Sequence, residues 1–411
     1  MSTASTEGVE EFRRRARAWI SANMPRASDV PPSEPSGQRL ARAQELQAGI
    51  YDAGLAAITW PRQYGGLELT PAHMRAFADE LRGYFNPYRL LSVSLGVIGP
   101  TLLEHGTAHQ KDTYLPPLLR GDTLWVQYLS EPTGGSDMAG VLTRADRDGD
   151  AWTLNGSKVW TTFGDAADYG LCLVRSRWDV PKHAGLSIFI VPVEAPGVTV
   201  LPLAQASGAS EFCQESLVDV RLDDGHLLGA EGDGWRVASE LLVHERNALG
   251  GGSVYFDAGS ESSDHAAGGG LVELTDRHGL SADPVSRQMV AEVHALSVVG
   301  EQLAGRVATG MRTGAFAGPA GSLLKLFSAE LHLRRSRASI ELAGAVATAW
   351  EPDDDQSQAH AMTWLTRQGT SIMGGTNEIQ RNIISERVLG LPRESEPGKG
   401  QPFNQIRTNA Q

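Results

Sequence analysis

The spacing of apolar residues changes character twice along this chain, and that change limits the folds open to it more than any single motif does. From Val9 to about Leu124 apolar residues recur three to four apart, as in EEFRRRARAWISANM and LQAGIYDAGLAAI, interrupted by ASDVPPSEPSGQ and PRQYGG. That period places them on one stripe of an α-helix, so residues 1–125 are expected to form a helical domain. From about Val126 to Trp235 short β-branched runs take over: YGLCLVRS, LSIFIVPV, VTVLPL and SLVDVRL, with turn pairs such as DGD and NGS between them. Near-alternation with Gly-containing turns predicts an antiparallel β-domain over 126–235. Helical spacing returns in VSRQMVAEVHALSVVGEQLAGRVATGM and SLLKLFSAELHLRRSRASIELAG, which predicts a C-terminal helical domain over 236–395. Within it FDAGSESSDHAAGGG, from Phe256 to Gly270, reads as a long loop. The tail over 396–411 reads as extended or disordered.

A length of 411 residues suits two or three domains and a sizeable core. With 49 Asp+Glu against 36 Lys+Arg the net charge is −13, which opposes nucleic acid or an anionic membrane as the main partner, because polyanions bind by releasing counterions onto basic surfaces. Cys172 and Cys213 are the only cysteines, so there is neither a disulfide framework nor a zinc constellation built on thiolates. The first residues lack the apolar run of a signal peptide, and Glu7, Glu10 and Glu11 do not suit a transit peptide. No segment approaches the ~20 apolar residues that span a bilayer. The mature protein is therefore expected to begin at or near Met1 and to work in the cytoplasm.

Several common chemistries lack their motifs. There is no GxxxxGK[ST] loop, no GxSxG elbow, and no strand followed by GxGxxG; the cluster GAEGDGW, Gly229 to Gly234, has the wrong spacing. His105 and His109 have a spacing that can bind a metal, but Gly106 lies between them and only the adjacent Glu104 offers a further ligand, so no metal site is expected there.

Three segments remain. QYLSEPTGGSDMAG, Gln127 to Gly140, ends in a Gly-Gly-Ser-Asp turn whose backbone N–H groups can cradle a polar cofactor chain. LNGSKVWTTFGDAADY sets Trp160 and Thr162 two apart at a strand end, which puts a flat aromatic surface and a hydroxyl on one face. GGTNEIQRNIISERVLGLPRE opens an amphipathic helix with Thr376 and Asn377 as candidate N-caps, and a helix N-terminus favours anions. Singly, each has an ordinary structural explanation: a β-turn, a core tryptophan, a capped helix.

Together and in this order, with WPRQYGG, GTAHQKDTYLPPLLRGD and GDGWRVASELLVHER, they resemble the acyl-CoA dehydrogenase family from about residue 10 to residue 394. The resemblance implies an α+β multidomain fold: a helical N-terminal domain, a central antiparallel β-barrel-like domain and a C-terminal four-helix bundle, assembled as a homodimer or homotetramer. It implies FAD, with Gln127, Leu129, Ser130, Gly135 and Ser136 lining the flavin and ribityl chain, Trp160 packed on the isoalloxazine, and Thr162 bonded near N5. Thr376 and Glu378 would stand by the same FAD. A neighbouring subunit would complete the site. The usual R-x-x-F-G appears as Arg277 to Ser281, with Gln288 at the family's eleven-residue spacing. The usual Q-x-x-G-G appears as Glu341 to Ala345, including Gly344; Glu there adds an anion that Arg334, Arg335 and Arg337 are placed to offset.

The implied reaction converts an acyl-CoA, or an acyl-carrier thioester, to its trans-2-enoyl product, with electron-transfer flavoprotein reoxidising the flavin. A base takes the α-proton, flavin N5 takes the β-hydride, and donors polarise the thioester carbonyl. Many members place the base just before the G-T of the C-terminal motif, where this chain has Gly374. A subgroup places it on another helix, at the position of Glu245. Four and three residues away are Leu241, Leu242, Ala248 and Leu249, an apolar stripe beside which desolvation would raise a carboxyl's pKa. The base is therefore expected to be Glu245, against a structural role for a buried Glu, with the Gly374 backbone N–H and the FAD ribityl hydroxyl on the thioester oxygen. Ser136 and Arg246 are expected along the substrate, Arg246 near the CoA pantetheine or phosphates. Two other readings stay open: a flavin oxidase or monooxygenase on the same fold, and a non-catalytic subunit of a mixed tetramer.

Overall fold

A computed structural model describes residues 7–31, 35–249, 270–349, 355–395 and 398–406. Most of the loop expected over Phe256–Gly270 lies outside the described residues. The described parts of Met1–Gln205, Ala209–Gly259 and Ser395–Gln411 form one compact unit, and those of Ala206–Gly208 and Ser260–Glu394 a second.

The first unit opens with helices α1 (Val9–Asn23), α2 (Ser36–Asp52), α3 (Pro71–Leu81), α4 (Tyr88–Val93), α5 (Gly99–His105) and α6 (Ala108–Arg120). Their apolar stripes turn inward: Phe12, Ala16 and Ile20 of α1, spaced four apart, are all buried. A π-helical turn, Ser94–Ile98, joins α4 to α5 and is buried throughout. Helix α6 starts at a reciprocal cap, in which the Gln110 N–H donates to Thr107 Oγ1 (3.2 Å) and the Thr107 N–H to Gln110 Oε1 (2.9 Å). The Gln110 amide then donates to the carbonyls of Gly225 and Leu227, tying the helix to the sheet.

Eight strands follow: β1 (Trp125–Tyr128), β2 (Arg144–Asp148), β3 (Ala151–Thr162), β4 (Tyr169–Arg175), β5 (Leu186–Pro192), β6 (Val198–Pro202), β7 (Phe212–Asp223) and β8 (Leu227–Leu228). They pair in the order β6-β7-β3-β2-β4-β5-β8, with β1 joined to β4. The sheet is mostly antiparallel, as expected, but β1 runs parallel to β4 and β2 meets β4 in one parallel pair, a departure from a purely antiparallel layout. Central strands β4 and β5 are buried on both faces and do not alternate, whereas edge-ward β7 alternates along most of its length. At Gly170 of β4 a side chain would collide with the Tyr128 ring, so the β1–β4 approach requires glycine.

Helix α7 (Gly234–Leu249) belongs to this first unit by its packing, lying against β5, α5 and the π-helical turn. Within the tail, expected to be extended or disordered, the described residues 398–406 are anchored on the first unit. Phe403 is 2% exposed, its N–H donates to the Val180 carbonyl (2.8 Å), and the Arg175 guanidinium sits 3.5 Å from its ring centroid.

In the second unit are α8 (Leu271–Arg277), α9 (Pro284–Thr313), α10 (Gly321–Ala343), α11 (Asp355–Thr366), α12 (Gly369–Ile372) and α13 (Asn377–Ile383). Asp283 caps α9 by accepting from the Ser286 N–H (2.7 Å). Leu274 of α8, Leu342 and Ala343 of α10, and Ala347 form a small core with Met289 and Val290 of α9 around it. Among the described residues no helix is long and apolar enough to cross a membrane.

Candidate functional site

The turn after β1 is closed by two backbone bonds, Glu131 N–H to Gly134 C=O and Gly134 N–H to Glu131 C=O, each 3.0 Å. Its rigidity comes from below. The Glu131 carboxylate, almost fully buried, accepts from the N–H groups of Leu142 (2.7 Å) and Thr143 (2.9 Å) and from Lys158 Nζ (2.9 Å). Lys158, wholly buried on β3, also donates to the carbonyls of Leu129 (3.2 Å) and Leu173 (2.6 Å). Its three protons thus have three acceptors, the condition under which a buried ion pair is tolerated. Burial alone would raise the Glu131 carboxyl, but the Lys158 charge and the Thr143 and Leu142 donors outweigh it and hold the group below the usual carboxylate range.

This pair was not singled out from the sequence, although both residues lie inside the quoted motifs. A Glu in the turn after β1 and a lone Lys on β3 were the available signal. The pair fixes Leu129, and the Val159 N–H donates to the Ser130 carbonyl (3.0 Å), so Leu129 and Ser130, both half-buried, are held against β3. Gln127 is half-buried in β1 opposite Leu171, and Gly135 and Ser136 are exposed on the turn.

Trp160 and Thr162 are both exposed, Trp160 at 61%. They share that exposure through a bulge as well as alternation: the β3–β7 register shifts between Val159 and Thr161, and Trp160 takes a φ of 69°. A left-handed residue with a large side chain costs about 1–3 kcal/mol and persists only where its surroundings impose it. Here Thr161 is driven inward and donates to Glu215 Oε2 (2.9 Å), while Phe212 meets the Trp160 ring edge-on at 6.0 Å. Burial pushes the Glu215 carboxyl up to about 7, against the lowering effects of Thr161 and Lys158. Its Oε1 is buried without a hydrogen-bond partner.

On α7, Val237, Ala238, Leu241 and Ala248 are buried. Glu245, one turn beyond Leu241 and three residues before Ala248, is half-buried, as is Arg246. The apolar stripe inferred for this carboxylate is therefore real where its side chains are described.

The remaining candidates lie in the second unit. Arg277 and Gln288 are exposed, on α8 and α9, and Glu341 is exposed on α10. The three helices share the small core around Leu274. Glu341 Oε1 accepts from Arg337 Nε at 2.7 Å, one helical turn away, while Arg334 pairs with Glu292 and Arg335 donates to Ser297. Gly344, at φ 64° and ψ −140°, ends α10. Thr376 is the N-cap of α13, accepting from the Ile379 N–H (3.2 Å), and Glu378 is exposed beside Arg381 (3.7 Å). Gly374 has a φ of 66°, a conformation strained for any residue with a side chain, and its carbonyl accepts from the Gln380 amide (3.0 Å).

Comparison with known proteins matches three successive family models: acyl-CoA dehydrogenase N-terminal domain at residues 6–122, middle domain at 127–220, and C-terminal domain at 232–389. Acyl-CoA dehydrogenase IpdE1 of Mycobacterium tuberculosis is 35% identical over 95% of this chain and 99% of its own length. A solved structure titled Tcur3481-Tcur3483 steroid ACAD superposes with a TM-score of 0.76 at 25% identity, covering 96% of this chain and all of that one. The ChsE4-ChsE5 complex of Mycobacterium tuberculosis gives 0.75 at 28% identity, over 96% of this chain and all of that one.

Proposed function

Because the chain belongs to the acyl-CoA dehydrogenase family, we propose that it is an FAD-dependent oxidoreductase that desaturates an acyl thioester between Cα and Cβ. The observation that carries this reading is the environment of Glu245, a carboxylate half-buried between buried Leu241 and Ala248 on α7. Glu245 takes the α-proton. The Gly374 N–H donates to the thioester carbonyl, a role its left-handed backbone serves without a side chain. Arg246 and Ser136 contact the substrate.

The residues of the first unit suit a flat, partly polar cofactor. A Trp160 ring 61% exposed, carried on strained backbone beside the Thr162 hydroxyl, is apolar surface that a planar ring would cover. FAD, when bound, would supply the acceptor for the Cβ hydride, with an electron-transfer flavoprotein as its oxidant. Gln127, Leu129, Ser130, Gly135, Ser136, Trp160 and Thr162 would hold it, with Thr376 and Glu378 of the same chain. Arg277, Gln288, Glu341 and Gly344 would come from a neighbouring copy. The Arg337 pairing leaves Glu341 less repulsive toward a pyrophosphate.

Glu245→Gln is expected to retain FAD yet lose anaerobic flavin bleaching by acyl-CoA at least a thousandfold in rate. Wild-type bleaching by the variant would refute Glu245 as the base. The thioester panel should include steroid-derived acyl-CoAs beside straight and branched chains, because one solved relative is titled a steroid ACAD. A second reading, a subunit of a mixed assembly, is favoured by the paired chains in the titles of two solved relatives.

A further inference from the structure

The end of α5 and the adjoining face of α7, neither used by the reading above, bring Glu104, His105, Glu240 and His244 near one another. Helix α5 ends in Glu104-His105, and α7 presents Glu240 and His244, whose four-residue separation puts them on one helix face. The His105 side chain is only 5% exposed. Its Nε2 is buried with no hydrogen-bond partner, and it is aimed at the Glu240 carboxylate, touching Oε2. The same Nε2 lies 3.9 Å from Glu104 Oε2, and His244 Nε2 lies 3.1 Å from that Glu104 oxygen. One ligand atom each from Glu104, His105 and Glu240 fall within 4.8 Å of one another.

Two of these separations are close to those of a coordination sphere, and the His105–Glu240 contact has to open to admit an ion. Nitrogen and oxygen ligands at about 2.0–2.1 Å from a tetrahedral zinc ion stand roughly 3.3 Å from each other. The measured 3.1 and 3.9 Å lie on either side of that value. A depression lined by Glu104, Glu240, Val243 and His244 gives solvent access. Arg236 is the competing cation, with Nη1 3.4 Å from His105 Nδ1 and 3.8 Å from Glu240 Oε2. Its Nη2 is anchored by Asp233 at 2.6 Å and half of its side chain is exposed, so it can withdraw toward Asp233 when an ion takes the carboxylate.

We propose that Glu104, His105 and Glu240 form a divalent transition-metal site that His244, already bonded to Glu104, turns in to complete, giving two imidazoles and two carboxylates suited to Zn²⁺. Neutral imidazoles with two carboxylates balance the ion's charge. The bound ion clamps α7 to α5, and so steadies the helix whose next residue after His244 is Glu245.

The test uses the full chain, stripped by a chelator and titrated calorimetrically with Zn²⁺. One ion per chain is expected, at micromolar dissociation constant or tighter, with a rise in melting temperature on saturation. His105→Ala and Glu240→Gln should each weaken binding at least tenfold, whereas His109→Ala, on the exposed side of α6, should leave it unchanged. If His105→Ala does not fold, Glu240→Gln and His244→Ala, at less enclosed positions, decide the matter. No saturable binding, or binding that survives Glu240→Gln and His244→Ala, would overturn the proposal and leave an ion-pair cluster.

Discussion

Trp160 shows how much one residue's backbone can decide. Two-residue spacing with Thr162 was enough to infer a shared face, but the sequence carried no sign of the bulge that turns Trp160 left-handed and buries Thr161 against Glu215. Glu215 itself went unnoticed, because an isolated Glu in an alternating strand reads as a solvent-facing position. Its burial has a consequence for pH. The folded chain keeps the Glu215 proton up to about pH 7, whereas the unfolded chain releases it near 4.5. Between those values the folded state holds the extra proton, so this group's contribution to stability declines as pH rises, by about 1.4 kcal/mol per pH unit at most, and levels off above 7. Urea unfolding at pH 5 and pH 7.5 should show Glu215→Gln gaining up to about 3 kcal/mol on the wild type across that interval. An unchanged difference between the two proteins would mean the carboxyl is not protonated in the fold. Gly374 was legible in the opposite sense: the missing Glu was plain, and the φ of 66° supplies a reason that a side chain is disfavoured there.

Among the elements, α7 agrees with the stripe drawn around Glu245: Leu241 and Ala248 are buried, and Val237 extends the buried face. What periodicity left open was its second face, where Glu240 and His244 meet Glu104 and His105. The composition of the C-terminal segment reads as extended or disordered, yet within it the short helical turn Phe403–Gln405 is anchored by one ring lying over a buried guanidinium. Burial pushes the Arg175 group down to about 10, and its Nη2 and Nε donate to the carbonyls of Ala139 (2.6 Å) and Val141 (3.2 Å). An aromatic cap keeps that charge from water while remaining compatible with it. Phe403→Ala removes about 3–5 kcal/mol of local packing, comparable to the whole anchorage of so short a segment. The expected outcome is release of residues 398–406, read as rapid protease cleavage and loss of amide protection there, with the sheet strands still protected. Unaltered protection of 398–406 would show that the backbone bonds to Val180 and Trp178 suffice.

For the whole molecule, the order of helices, sheet and helices was legible, and so was the family, because its motifs are spread over nearly the full length. The net charge of −13 had suggested that basic residues must collect locally to hold phosphorylated ligands. In the second unit part of that charge is already engaged, Arg337 with Glu341 and Arg334 with Glu292. Candidate cofactor residues occur in both compact units, and the second unit's Arg277 and Gln288 are exposed. If this chain forms its own sites, protein purified alone should carry close to one FAD per chain. Colourless protein that turns yellow only on addition of a paralogous chain would instead support the mixed assembly.

Read alone, the sequence determined whatever depends on neighbours within a few turns or strands: helix and strand periods, the Thr376 cap, and the family signature. Those properties follow from the repeat geometry of the backbone, which acts over a handful of residues. The tertiary structure decided which polar groups meet: Lys158 with Glu131 in the interior across 27 residues, Thr161 with Glu215 across 54, and, nearer the surface, His244 with Glu104 across 140. Such pairings depend on which strands and helices become neighbours, and burying a charge is tolerable only after that choice has supplied every donor with an acceptor.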